Sequence, residues 1–278
     1  MALSRNKRMA AVKKELLAVT KAENKLERAA LKARPAGWKT ALEQKLPAKV
    51  YGGLQSAFCK GFSVVFSKGR GIIEKSYRKE TIQEDQSIRE FALQVKGGRR
   101  ELRQMMKHAG RSHARNMAVT TVEGIGLGAL GIGMPDIVLF ISAILRGIYE
   151  TALHYGYDYI ERDEQLIILK MMSAALSTGE EWQQRSQEID RILSGGVQDI
   201  SDEAYQAQLQ DTASVFAVDM LLMKFIQGLP IVGVIGGAAN PVYYRKVLRY
   251  VQLKYRKRFL WRISTELEVT GKKGILQR

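Results

Sequence analysis

The stretch Pro135-Asp-Ile-Val-Leu-Phe-Ile-Ser-Ala-Ile-Leu-Arg-Gly-Ile-Tyr-Glu-Thr-Ala-Leu-His154 decides the fold class. Proline at the first helical position wastes no hydrogen bond, and an acid in the first turn meets the positive end of the helix dipole. The helix they start is expected to reach about Tyr157. It is apolar on nearly every face, through Ile137, Val138, Leu139, Phe140, Ile141, Ile144, Leu145, Ile148 and Leu153. A helix apolar all round is either the centre of a bundle or embedded in a membrane.

Outward from this helix the chain keeps a helical alphabet. It is rich in Ala, Leu, Glu, Lys, Arg and Gln, with only five prolines in 278 residues. No segment alternates apolar and polar residues between turn signals, so little or no sheet is expected. Hydrophobic residues make up 46%, enough for a sizeable core. The expected fold is all-α: a helical bundle with two glycine-rich apolar hairpins and a basic C-terminal helix.

The first hairpin is Gly124-Ile-Gly-Leu-Gly-Ala-Leu-Gly-Ile-Gly133, just before the central helix. The second is in the charge-free run Phe225–Tyr244, where Pro230 breaks one helix and Asn240-Pro241 starts the next. Gly124 and Gly128, and again Gly233 and Gly237, have the four-residue spacing that puts two bare Cα atoms on one helix face. These four glycines are expected at close helix contacts. Neither run makes a good transmembrane span, because Asp136 interrupts one and Gln227, Pro230 and Asn240 the other.

Residues 1–40 are expected to form a basic helical arm projecting from the body, and residues 41–278 a single helical domain. The segment 50–78 reads as mixed, with a turn at Lys68-Gly-Arg-Gly71. A long helix is expected from about Glu80 to His108, weakened at Gly97-Gly98.

The formal net charge is +16, which calls for an acidic partner. Basic residues gather in the arm, in the block Lys96–Arg115 and in the C-terminal helix, with an acidic belt from Glu150 to Glu203 between the last two. On the C-terminal helix Arg245, Lys246, Arg249, Lys254, Arg256 and Lys257 form a basic arc opposite Val247, Leu248, Val251, Tyr255, Phe259 and Ile263. Tyr243, Tyr244, Tyr250 and Trp261 add amphipathic rings. Such a helix suits an anionic bilayer surface, so the six cations of the arc are the expected membrane contacts. The same arc would fit nucleic-acid phosphates, but no helix-turn-helix, zinc-finger or RNA-recognition pattern accompanies it.

Asp136, Arg146 and Arg258 are candidates for a polar core. Arg258 lies on the apolar side of its helix and needs a buried partner, either Asp136 or the acidic belt. Arg146, Glu150 and His154 make one stripe at four-residue spacing, expected to face water or the belt. No catalytic constellation stands out, so a non-enzymatic role is expected, with no cofactor and no metal. Cys59 is the single cysteine, and His108 and His113 are five apart where helical metal pairs want four. Gly126-Leu-Gly-Ala-Leu-Gly131 satisfies a dinucleotide pattern but lacks the preceding strand that pattern requires. Residues 1–39 are charged throughout, without the apolar centre of an export signal.

Gly131-Ile-Gly-Met-Pro-Asp136, Arg146, Tyr155-Gly-Tyr-Asp158, Leu229-Pro-Ile-Val-Gly-Val-Ile-Gly-Gly-Ala-Ala-Asn240 and Arg256-Lys-Arg-Phe-Leu260 together resemble the EcsC protein family. The resemblance covers about residues 85–262. It implies a helical, bacterial, envelope-related protein, expected to work beside an ABC-type transporter, and supplies no catalytic residue. The expected role is that of a cytoplasmic protein held peripherally at the inner face of the cell membrane. The alternatives are an enzyme or carrier for a lipid-like ligand in an apolar pocket, and a nucleic-acid-binding protein.

Overall fold

The structure, a computed structural model, describes residues 5–33, 48–107, 134–195, 201–226 and 239–276. It is all-α, and no strand occurs among the described residues. In chain order the helices are α1 (Arg5–Lys32), α2 (Ala48–Val64), a π-helical turn (Val65–Gly69), α3 (Arg70–Lys75), α4 (Lys79–Lys96), α5 (99–107), α6 (Met134–His154), α7 (Arg162–Leu176), α8 (Gly179–Gly195), α9 (Asp202–Ile226) and α10 (Ala239–Leu276).

α6 is the centre of the bundle. It packs against α2, α3, α4 and α10. Its Ile137, Ile141, Leu145, Ile148 and Ala152 are fully buried. The window Ile137–His154 is long and apolar enough to cross a membrane, and 72% of it is buried inside the protein. The all-round apolar helix is therefore the core of the bundle. At one end Phe58 and Phe62 of α2, Phe140 of α6, Phe216 of α9 and Tyr243 of α10 form a cluster of tilted and edge-to-face rings.

Close approach to α6 depends on two glycines. A Cβ on Gly61 of α2 would stand 2.8 Å from Ile137, and one on Gly147 of α6 would stand 2.5 Å from the Tyr244 hydroxyl of α10. The glycines singled out in the sequence, Gly124, Gly128, Gly233 and Gly237, lie outside the described residues.

Several expectations are corrected. The arm does not project: α1 lies along α10 and α8, with Val12 and Val19 buried. Apolar residues on one side of α1 supply a docking face that its high charge conceals. The segment expected to be mixed is helical from residue 48 to residue 75, and the expected turn at Lys68–Gly71 lies in continuous helix with a π turn. The long helix after Glu80 does break at Gly97, whose φ of 64° ends α4 in the left-handed conformation.

The polar stripe of α6 turns inward. Glu150 is 1% exposed and accepts from Arg146 Nε at 3.2 Å, and His154 is buried. Nearby, Tyr77 donates to the Tyr159 hydroxyl and Tyr159 donates to Glu74, each at 2.7 Å, while Tyr159 stacks on Tyr149. Paired groups of this kind are tolerated in a core where single charges are not.

Candidate functional site

Charge is sorted across α1. The helix has three carboxylates, and each is used by the body of the protein. Glu15, 1% exposed, accepts from Arg99 Nε at 2.6 Å and Arg103 Nε at 3.1 Å on α5, and from Arg256 Nη2 at 2.6 Å on α10. Burial pushes the Glu15 carboxyl up, but the three guanidinium groups outweigh it and hold it below its ordinary value. Glu23 accepts from Lys254 Nζ at 2.9 Å and Lys257 Nζ at 2.6 Å. Glu27 accepts from Gln183 Nε2 at 2.7 Å.

The opposite side of α1 is cationic. Lys7, Lys14, Lys21 and Arg28 recur every seven residues, so they fall in one line along the helix, with Lys25 and Lys32 beside them. All six are exposed. Leu17 and Leu31, 62% and 44% exposed, flank the stripe. α5 adds the exposed Arg99, Arg100, Arg103 and Lys107. All three basic blocks thus meet at Glu15, and the excess of cations on α1 and α5 faces water.

The third block behaves differently, and the expectation for the C-terminal arc is corrected. Lys254 is fully buried: its ammonium group contacts Glu23, Asp190 at 2.7 Å and the Ser186 carbonyl at 3.4 Å. Lys257 closes a square with the same two carboxylates, at 2.8 Å from Asp190. Arg256 is bound to Glu15, and Lys246 donates to the Leu176 carbonyl. Only Arg245 and Arg249 of the arc are exposed. Tyr243, Tyr244 and Tyr250 are buried in the bundle and offer no ring to a membrane interface. The physical reason is that α1 and α8 cover the basic side of α10, and their carboxylates neutralise it.

Arg258 sits on the other side of α10. Its Nη1 donates to Glu164 Oε2 at 2.6 Å, and Glu164, in the first turn of α7, also accepts from the Tyr255 hydroxyl. Glu164 belongs to the acidic belt. Arg146 pairs within α6, and Asp136 lies in the first turn of α6 with its side chain outside the description.

Beside Arg258 is a groove of about 760 Å³ between α8, α10 and the loop after α6. Gly156, at φ 79°, ends α6. Its amide donates to the Leu153 carbonyl and that of Tyr157 to the Ala152 carbonyl, which closes the helix and sets Tyr157 in the groove. The guanidinium of Arg258 lies 4.0 Å over the Tyr157 ring. Arg262 contributes one nitrogen, Nη1, to Glu90 at 3.0 Å. Its Nε and Nη2, and the Tyr157 hydroxyl, are shielded from solvent and have no protein partner. Burial pushes the Tyr157 hydroxyl up to about 12, against the pull of Arg258 and Arg262, so it keeps its proton at neutral pH.

Residues 10–260 match the EcsC protein family, and the chain belongs to that family. The match begins inside α1, so most of the basic helix lies within the family region, which the sequence resemblance had placed outside it. No curated protein and no solved structure matches the chain.

Proposed function

We propose that this EcsC family protein is a non-enzymatic, peripheral membrane-associated protein that binds an anionic bilayer surface through α1. The observation that carries this reading is the sorting of charge on α1: its carboxylates are consumed by the body and its outward line is Lys7, Lys14, Lys21, Lys25, Arg28 and Lys32. Each Lys or Arg near an anionic leaflet contributes about 1 kcal/mol, within a Debye length of about 8 Å at physiological salt. Six in a line are enough for reversible attachment, as polybasic segments of this size are. The exposed Leu17 and Leu31 favour a bilayer over nucleic-acid phosphates, because they gain from contact with acyl chains.

This assigns the membrane contact to the N-terminal helix, with Arg245 and Arg249 as accessory cations. The proposed location is the cytoplasmic face of the cell membrane, where anionic lipid is concentrated, and a transporter embedded there is a compatible neighbour. Co-sedimentation tests the reading. The protein should pellet with vesicles of phosphatidylglycerol and phosphatidylcholine in low salt, and release in high salt. Equal pelleting with pure phosphatidylcholine vesicles would exclude it.

A further inference from the structure

The outward face of α4 is not used by attachment through α1 and stands on different residues. Ile88, Phe91 and Val95 are 66%, 67% and 46% exposed, and the first two are the most exposed large apolar side chains among the described residues. Their spacing of three and then four residues sets them in one line, the spacing of a coiled-coil seam. At 100° per residue this line lies opposite the buried Gln86 and Leu93, so it points directly away from the bundle. The solvent side of a surface helix is ordinarily polar, and α4 departs from that rule where it meets water. A contiguous apolar ridge rimmed by charge marks an interaction surface.

The charges at its two ends decide what covers the ridge. Glu84 and Glu80, both exposed, stand one and two turns before Ile88. At the other end Lys96 is exposed, and Arg8 of α1 donates from Nη2 to the Val95 carbonyl at 3.1 Å. The ridge is therefore acidic at its N-terminal end and basic at its C-terminal end. Such a face is complementary to itself when turned end for end. With a two-fold axis between Phe91 and Ala92, Ile88 lies opposite the partner's Val95, the two Phe91 rings meet at the centre, and Glu84 reaches the partner's Lys96. The same contacts repeat on the other side of the axis. A bilayer fits less well, because an anionic leaflet repels the Glu80 and Glu84 carboxylates beside the ridge. We propose that α4 is an isologous dimer interface, in which two copies of this chain pack their α4 helices antiparallel along Ile88, Phe91 and Val95. Three large apolar side chains from each copy make a small interface, of the transient class below about 1,200 Å², so the dimer is reversible.

Sedimentation velocity on the full chain, without lipid or detergent, tests this over a range from about 1 µM to about 200 µM. A concentration-dependent shift from monomer to dimer is expected. Phe91→Ser should weaken dimerisation by about tenfold or more, and its exposed position should leave the melting temperature near the parent's. Glu84→Lys and Lys96→Glu should each weaken it several-fold. Combined in one chain they should restore it, because each copy then presents the reversed pair. In a Cys59→Ser background, Phe91→Cys should form an intermolecular disulfide under mild oxidant, since this residue sits beside the axis. Thr81→Cys, at roughly 30 Å from its own copy, should not. A monomer at every concentration, or a dimer indifferent to Phe91→Ser and to both charge reversals, would overturn the proposal. Thr81→Cys cross-linking as readily as Phe91→Cys would overturn the antiparallel arrangement. A Phe91→Ser chain that keeps the parent's oligomeric state and loses binding to phosphatidylglycerol vesicles would also overturn the proposal, and would assign the ridge to the bilayer.

Discussion

Lys254→Met is the sharpest perturbation of the account, because Arg249, Lys254 and Lys257 read alike in the sequence and differ in their surroundings. Lys254 is 0% exposed, with its ammonium group 2.9 Å from Glu23 and 2.7 Å from Asp190. Methionine keeps the stem of the side chain and removes the charge. Two carboxylates then share Lys257 alone, which is itself 13% exposed. Breaking a buried ion pair by removing one partner costs roughly 3–5 kcal/mol. Asp190 is 29% exposed, and Lys257 still contacts both acids, so the lower end applies, about 3 kcal/mol. In a chain of this size that corresponds to a fall of about 6 °C in melting temperature, read by circular dichroism. Arg249→Gln, at an exposed position, should change it by less than about 1 °C. Glu23→Gln combined with Lys254→Met should cost less than the sum of the two single changes, since the double variant leaves Lys257 and Asp190 as a matched pair. A Lys254→Met variant that melts like Arg249→Gln would refute the burial of this lysine and with it the docking of α1 on α10.

Gly147→Ala should destabilise by roughly 1–3 kcal/mol in a urea melt, since its Cβ would overlap Tyr244 and Leu248; an unchanged midpoint would mean that α6 and α10 are further apart. Arg258→Ala leaves Glu164, at 6% side-chain exposure, with the Tyr255 hydroxyl but no cation, and should lower the melting temperature while leaving vesicle binding of the folded protein intact. Acid should expose the role of Glu15. Its folded carboxyl titrates below the ordinary 4.5, so the stability it contributes is present above that value and lost as pH falls through the lower folded value. Melting temperatures followed downward from pH 5 should drop less steeply for Glu15→Gln than for the parent, and parallel curves would deny Glu15 this role.

How much was legible depends on what each feature needs to be recognised. The central helix was readable because its signal is local: a proline start and an apolar surface on every side. Its place as core, not membrane, was not readable, since composition alone does not distinguish the two. The break at Gly97 and the helix ending near Tyr157 were readable because glycine there carries a positive φ. The role of the C-terminal cations was misread because a cation's environment depends on its partner. Glu23 is 231 positions from Lys254, and no periodicity reports such a distance. Arg258 was readable as a paired residue because it stands alone on an apolar face, where a lone charge is costly. The seven-residue repeat of Lys7, Lys14, Lys21 and Arg28 was present in the sequence, but the inward acids that make it one-sided became visible only when α1 was docked.

The measurement that tests the central claim most directly is vesicle binding by a variant with Lys7, Lys14, Lys21, Lys25, Arg28 and Lys32 all changed to Gln. These six side chains are exposed, so the variant should fold and melt close to the parent. At about 1 kcal/mol each in low salt, their loss should abolish measurable co-sedimentation with phosphatidylglycerol-containing vesicles. A variant that keeps the parent's melting temperature and still pellets with those vesicles to the parent's extent would contradict attachment through α1.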